Sequence, residues 1–160
     1  MNQQVYAGKT ETLGDVLQVV IPSVAYGATL YMDDKEGEYQ FYKSFATNSV
    51  VTFGLKYAVN RQRPNGGDYS FPSGHSSSAF QGASFIHKRY GLTYGLLAYA
   101  GASYVAYSRV YAKKHYTSDV LAGAILGMAS SFYFTTPRKG VKIEPTSMAE
   151  GYGVTLSYHY

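Results

Sequence analysis

The sequence has no cysteine, no tryptophan and few charged residues. Because cysteine is absent, disulfide bonds, thiolate metal sites and cysteine nucleophiles are all excluded. Charged residues make up 15% of the chain, whereas roughly a quarter is typical of globular domains. This shortage predicts a surface that is unusually neutral, or one that partly faces something other than water.

What the chain does contain fits one folded domain. Its 160 residues are 46% hydrophobic, which is enough for a single core and argues against disorder. We therefore predict one domain over 1–160, with a core at about 15–137. The formal net charge of +4 fits an anionic partner such as a phosphate ester, an acidic membrane or a nucleic acid, and equally a mildly basic soluble surface.

Hydrophobic periodicity predicts an all-α helical bundle of about five core helices. The helices are predicted at 15–32, 39–59, 73–90, 92–107 and 119–134. Pro22 inside the first helix predicts a kink, and the acidic segment 33–38 is predicted to be the turn that ends it. The tail at 138–160 alternates from Val154 to Tyr160, which predicts either a short strand or a disordered end.

The sequence has features that favour membrane-spanning helices and features that argue against them. Three helices contain uncharged runs of about 17 residues, at the short limit for crossing a bilayer. These runs are rich in small residues such as Gly123 and Gly127, which let helices pack closely in either setting. The mean hydropathy of −0.19 is low for a multi-span protein. We therefore predict a soluble or membrane-surface bundle in preference to an integral one.

Three short segments gather the unusual residues, and each lies at a helix end. They are Lys56 to Pro64, Phe71 to His75, and Ser108 to Asp119. In an up-down bundle with short connections, these ends meet at one pole. Residues that are far apart in sequence can therefore converge on one pocket.

The first requirement for phosphate chemistry, a cradle for the anion, is present in these segments. Lys56, Arg63 and Arg109 are cations on otherwise apolar helices. Arginine matches phosphate oxygens two at a time, and lysine adds a point charge. Ser73 is a predicted N-cap, so the amides at the start of its helix can bind an anion. Gly74 lets a ligand approach that backbone closely.

The second requirement, a nucleophile with its base and acid, is also present. His115 and Asp119 are four residues apart and become neighbours if the last helix extends back to His115. A carboxylate on one ring nitrogen fixes the tautomer and makes the other nitrogen a better nucleophile. His75, beside the predicted anion site, can protonate the leaving alkoxide as general acid.

Together the three segments resemble, position for position, the signature of the type 2 phosphatidic acid phosphatase (PAP2) superfamily. That superfamily also includes bacterial acid phosphatases and vanadium haloperoxidases. Its signature reads Lys-x6-Arg-Pro, then Pro-Ser-Gly-His, then Ser-Arg-x5-His-x3-Asp. The matching residues are Lys56, Arg63 and Pro64, then Pro72, Ser73, Gly74 and His75, then Ser108, Arg109, His115 and Asp119.

The resemblance implies a helical core with the active site at one pole, and no metal or cofactor for phosphatase activity. It implies that His115 is the nucleophile, that Asp119 orients it and that His75 is the general acid. The residues implied to hold the phosphate are Lys56, Arg63, Ser73, Gly74 and Arg109. It also implies a periplasmic or extracytoplasmic location.

The predicted function is a metal-independent phosphatase that acts on phosphate monoesters through a phosphohistidine. Lipid phosphates are the favoured substrates because the chain has low charge and 18 tyrosines, and small soluble esters are the other candidates. The alternatives are a vanadate-dependent haloperoxidase and a non-catalytic anion-binding or membrane-surface module. A nucleic-acid partner is not predicted, because the basic residues gather at helix ends instead of forming a stripe.

Overall fold

The computed structural model describes residues 3–138, 140–148 and 151–159, with side chains described from 8 to 138. The predicted all-α core of five helices is confirmed within these ranges. The helices are α1 (Gln3–Tyr31), α2 (Lys35–Val59), α3 (Gly74–Tyr90), α4 (Leu92–Tyr111) and α5 (Thr117–Phe134). Two strands follow, β1 (Gly140–Met148) and β2 (Gly151–His159).

Three helices begin earlier than the sequence predicted: α5 by two residues, and α1 and α2 by more. The first turns of α1 are held by the end of α4, because Arg109 Nη2 donates to the carbonyl of Glu11 at 2.7 Å. In α2 the predicted acidic turn is the start of the helix itself. Asp34 is its N-cap and accepts from the amide of Gly37 at 3.0 Å. Acidic side chains in a first turn are favoured by the helix dipole, so this segment continues into helix.

The tail contains an antiparallel pair of strands where the sequence predicted at most one short strand. Gly140 pairs with His159 and Met148 with Gly151. The alternation from Val154 onward belongs to β2, and β1 supplies the partner that a single strand lacks. The side chains of this tail lie outside the described residues.

The α3 helix lies at the centre of the bundle and packs against all four other helices. Its buried face carries small side chains, including Ala79 and Ala83. Gly123 and Gly127 of α5 face the backbone of α3 so closely that a Cβ atom at either position would clash with it. The predicted close packing through small residues is therefore confirmed, and it draws the first turn of α5 to the first turn of α3.

The bundle places polar side chains inside and many apolar side chains outside. The buried polar residues include Ser44, Asn48, Thr52, Ser77, Gln81 and Ser131. The exposed large apolar residues include Val24, Val50, Leu97, Ile125 and Tyr133, on α1, α2, α4 and α5. Within the described residues α1 is the helix long and apolar enough to cross a membrane, over Gly8–Tyr31 with a mean hydropathy of 1.3.

Candidate active site

The three chemistry-bearing segments meet at one pole around a cavity of about 420 Å³. Five residues of the predicted site line it: Lys56, Arg63, Gly74, His75 and His115. The rest of the wall comes from α1, α2 and α3, and includes Gln18, Phe45, Asn48, Thr52, Phe53 and Ser77. The cavity therefore has a cationic end and a mixed hydroxyl and aromatic wall.

His115 lies in the loop before α5, so the helix does not extend back to it. Its amide donates to the carbonyl of Arg109 at 3.2 Å, which ties the loop to the end of α4. The ring is 3% exposed, and its Nδ1 lies 3.5 Å from Ser70 Oγ. Because Nδ1 faces Ser70, the Nε2 atom is the one that can serve a substrate in the cavity.

The histidine is held in its neutral form by its surroundings. Burial, followed by the positive charges of Arg63 and Lys56, lowers the pKa of His115 to about 4. Desolvation disfavours the charged imidazolium, and neighbouring cations act in the same direction. At neutral pH the ring therefore keeps a free lone pair, which a nucleophile requires.

The contact between His115 and Asp119 is indirect. The ring Nδ1 and the carboxylate Oδ2 are 3.8 Å apart, which is beyond hydrogen-bond range. The hydroxyl of Ser70 bridges this gap, since it donates to Asp119 Oδ2 and lies beside Nδ1. The sequence analysis did not identify Ser70, which directly precedes the Phe71–His75 segment.

Asp119 itself is fully buried and is held from three sides. Its Oδ2 accepts from the amide of Tyr116 at 2.9 Å, in addition to the Ser70 hydroxyl. Its Oδ1 accepts from Arg61 Nη1 at 2.9 Å, and the Arg61 guanidinium lies 4.0 Å from the centre of the Tyr116 ring. Sequence reasoning also missed Arg61, although it stands two positions before Arg63 in the same segment.

The loop between α2 and α3 fixes the two cations of the cavity through its carbonyl groups. Lys56 Nζ donates to the carbonyls of Tyr69 at 2.8 Å and Pro72 at 2.9 Å. Arg63 Nε donates to the carbonyl of Asp68 at 2.9 Å. Burial and the nearby charge of Arg63 lower the pKa of Lys56. The two cations are thus positioned before any ligand arrives.

Arg109 was predicted to hold the phosphate, a role that stays a prediction, and the structure shows the contacts of its side chain within the protein. It is 3% exposed and does not line the cavity. Its Nη1 donates at 2.7 Å to Asp15 Oδ1, and the same oxygen lies 3.0 Å from His75 Nε2. The structure therefore joins Arg109 to His75 through Asp15. The sequence offered one signal for Asp15: it is the only charged residue between positions 15 and 31, and carboxylates in apolar segments of membrane helices mark functional sites.

The charge on Asp15 acts on the predicted general acid. Burial, followed by the charge of Arg109, lowers the pKa of His75 below its usual range. Asp15 opposes that shift by its charge and its hydrogen bond. The protonation of His75 is therefore set by a balance between Arg109 and Asp15.

The start of α3 separates the roles of Ser73 and Gly74. Ser73 is fully buried, caps the helix and accepts from Ser76 Oγ at 3.1 Å, so it is not part of the cavity wall. Its amide donates to the carbonyl of Asp119 at 2.9 Å, which joins α3 to α5. Gly74 does line the cavity, and a Cβ there would meet only a methyl of Thr52 at 4.0 Å. The space in front of Gly74 is open to a ligand.

Residues 65–139 match the sequence model of the PAP2 superfamily. Among curated proteins, a 77-residue stretch is 40% identical to the lipid A 1-phosphatase of Porphyromonas gingivalis, covering 46% of this chain and 17% of that protein. A 135-residue stretch is 30% identical to the lipid A 1-phosphatase of Helicobacter pylori, covering 78% of this chain and 66% of that protein. The chain thus spans only part of the length of these relatives.

Solved structures of similar fold include Aquifex aeolicus LpxE. It superposes with a TM-score of 0.61 at 23% identity, covering 75% of this chain and 84% of that chain. A transmembrane PAP2 type phosphatidylglycerolphosphate phosphatase from Bacillus subtilis gives a TM-score of 0.51 at 22% identity, covering 82% and 85%. These likenesses establish the helical fold.

Proposed function

Because the chain belongs to the PAP2 superfamily, we propose that it is a metal-independent phosphatase acting on phosphate monoesters through a phosphohistidine. The observation that carries the proposal is the cavity that His115, His75, Lys56 and Arg63 share. The proposal assigns residues 1–160 to one phosphatase domain, with its chemistry between positions 56 and 119.

In the first half-reaction the phosphate is gripped and attacked. Lys56, Arg63 and the amides at the start of α3 bind the equatorial oxygens, because fixed cations and helix N-termini stabilise anions. The Nε2 lone pair of His115 then forms a bond to phosphorus while the bond to the ester oxygen breaks. Protonated His75 gives its proton to the departing alkoxide, so the leaving group departs as an alcohol.

In the second half-reaction water releases the phosphate. His75, now neutral, takes a proton from the attacking water, whose oxygen bonds to phosphorus as the bond to His115 breaks. Positive charge develops on the His115 ring whenever it carries the phosphoryl group. Asp119 offsets that charge through Ser70, which lies between the carboxylate and the ring.

Lipid phosphates are the favoured substrate class, since the named relatives include lipid A phosphatases. The apolar outer surfaces of α1, α2, α4 and α5 suit contact with lipid. This surface favours a membrane-embedded bundle over the soluble or membrane-surface bundle that the sequence predicted. In that setting the site pole lies at the membrane surface, on the extracytoplasmic side.

Phosphate release tests the proposal. The purified chain is assayed with p-nitrophenyl phosphate, phosphatidic acid and lipid A, with a chelator and no added metal. We expect all activity to disappear in His115→Ala. A matched control is His87→Ala, because His87 lies at the far end of α3, half-buried against Phe132.

A second measurement tests the covalent intermediate. Quenching the reaction with labelled substrate is expected to leave acid-labile, base-stable phosphate on the wild-type chain and none on His115→Ala. If His115→Ala hydrolyses the substrates as fast as wild type, the assignment of the nucleophile is wrong. If neither protein releases phosphate from any substrate, the chain is a non-catalytic anion-binding module.

A further inference from the structure

A second concavity lies beside the catalytic cavity, in the gap between α1 and α2. This α1–α2 groove has a volume of about 420 Å³, and its walls include Val19, Pro22, Tyr26, Phe41 and Tyr42. The walls are almost entirely apolar, in contrast to the cationic end of the catalytic cavity.

The groove and the catalytic cavity adjoin each other. Gln18 of α1, Phe45 of α2 and Ser78 of α3 line both. Because the three shared residues come from three helices, the two spaces meet along a common stretch of wall. A molecule held by phosphate near Lys56 and Arg63 can therefore extend directly into the groove.

A pair of tyrosines lines the end of the groove away from Gln18. The hydroxyls of Tyr26 and Tyr42 are hydrogen-bonded, and their ring centres are 5.2 Å apart. From Gln18 to Tyr26 the groove follows α1 for roughly 12 Å, at about 1.5 Å per residue. Val19 is 55% exposed along this length, so the groove is also open sideways to the surroundings of the bundle.

A second apolar groove, between α2 and α5, is separated from the catalytic cavity. It has a volume of about 340 Å³ and includes Val51, Ala129 and Tyr133. It shares only Asn48 with the cavity, and the Oδ1 atom of Asn48 accepts a hydrogen bond from Ser77 Oγ at 2.6 Å. This polar bridge between α2 and α3 stands between the two spaces.

We propose that the α1–α2 groove binds the hydrocarbon chain of the phosphate ester and so selects substrates by the length of that chain. The inference rests on the proposed phosphatase function and names the substrate class as esters with an unbranched apolar chain attached close to the phosphate. Burying each additional methylene in an apolar site improves binding by up to about fourfold.

A series of alkyl phosphates from ethyl to dodecyl tests the groove, with kcat/KM measured on the full chain for each ester. The filling variant is Ser23→Phe, since Ser23 is a small exposed residue of the α1–α2 groove. The matched control is Ala129→Phe, which places the same ring in the α2–α5 groove. The ratio of variant to wild type at each chain length cancels any partitioning of the esters into detergent.

We expect Ser23→Phe to lower kcat/KM for decyl phosphate by about tenfold or more, and to change the value for ethyl phosphate by less than about twofold. Ala129→Phe is expected to leave both values near wild type. Equal ratios at every chain length in Ser23→Phe would overturn the inference, as would a loss confined to Ala129→Phe.

The two proposals fail in different ways. If wild type hydrolyses neither ethyl phosphate nor p-nitrophenyl phosphate, the phosphatase function fails. If it hydrolyses both but shows no gain with chain length, the groove inference fails alone. Should Ser23→Phe lose ethyl phosphate activity through misfolding, Val19→Trp fills the same groove from an exposed position, and the same ratios decide.

Discussion

Among the described residues, each pole of the bundle holds a buried aspartate paired with an arginine, and the cavity lined by His75 and His115 lies at one of the two poles. At the site pole Asp119 pairs with Arg61, and at the opposite pole Asp34 pairs with Arg89. Both carboxylates are almost completely buried. The difference between the poles lies in what else the charges touch.

At the opposite pole the donors of Arg89 are used up by the protein. Nε donates to Asp34 at 2.7 Å, Nη2 donates to the other oxygen of Asp34, and Nη1 donates to the carbonyl of Thr136 at 3.0 Å. The hydroxyl of Tyr90 also donates to Asp34 at 3.1 Å. The structure thus uses Arg89 of α3 to fasten the start of α2 and the segment after α5.

At the site pole the same kind of pair serves a titratable group. Asp119 accepts a hydrogen bond from Ser70, and the Ser70 hydroxyl lies beside the ring of His115, which borders an open cavity. A buried ion pair is therefore not by itself the mark of an active site. What distinguishes the site pole is a buried ion pair whose carboxylate also contacts, through Ser70, an imidazole that borders the cavity.

The largest expected effect separates the two aspartates. Asp119→Asn should lower kcat by about 10⁴-fold, the scale found when the orienting carboxylate of a Ser-His-Asp triad is replaced. Asp34→Asn should leave kcat of the folded protein unchanged and reduce its stability. Steady-state kinetics and denaturant titration of both variants measure this. Equal kcat losses in the two variants would erase the proposed difference between the poles.

The next effect concerns the two arginines. Arg89→Met leaves Asp34 buried without its partner and should cost about 3–5 kcal/mol in the free energy of unfolding. Arg61→Met should cost less stability, because the Arg61 side chain is 40% exposed, and should lower kcat by roughly 10–100-fold through the lost charge-assisted bond. Denaturant titration and kinetics on the same preparations test both. A larger stability loss in Arg61→Met would contradict the comparison.

The pH dependence sharpens the comparison further. His115 must be neutral to attack, and its pKa lies at about 4, so kcat/KM should fall as pH drops through about 4. The lowered pKa of His115 in the folded protein also affects its stability. The unfolded ring gains its proton near its usual pKa of 6.5 and the folded ring only near 4. The free energy of unfolding should therefore decline as the pH falls from about 6.5 to about 4. A His115→Ala variant should lose that part of the decline in unfolding titrations.

The smallest expected effect belongs to Asp15, a positioning residue. Asp15→Asn removes the charge that raises the pKa of His75. The alkaline limb of kcat/KM, where protonated His75 is lost, should therefore move to lower pH. At the optimum the loss should stay below about tenfold, because His75 itself remains. The matched control is Glu11→Gln on the same helix, which removes only an ion pair with Lys114 and should leave the limb in place.

The sequence predicted which residues line the site better than it predicted the hydrogen bonds and ion pairs among them. Lys56, Arg63, Gly74, His75 and His115 were assigned from motif spacing, and all five line the cavity. Their roles stay predictions until the kinetics above are measured. Spacing succeeds here because each motif sits at a helix end, where local capping and turn chemistry position the side chain.

These hydrogen bonds and ion pairs could not be predicted, because they join segments that are distant in sequence. Asp15 reaches Arg109 across 94 positions, and Arg61 reaches Asp119 across 58. Ser73 is the N-cap that the sequence predicted, but its complete burial by the packing of α5 against α3 could not be predicted, and its implied role at the phosphate stays a prediction. No local pattern carries information about which helix faces will meet.

By itself the sequence determined five helices, the pole at which their chemical residues gather and the identity of the groups that face the cavity. These follow from periodicity, caps and spacing, which are local properties of the chain. Only the tertiary structure decided that serine, asparagine and glutamine side chains lie inside while valine, leucine and tyrosine lie outside. Mean hydropathy is an average over residues and is blind to their direction, so only the packing of α3 among its neighbours could reveal that arrangement.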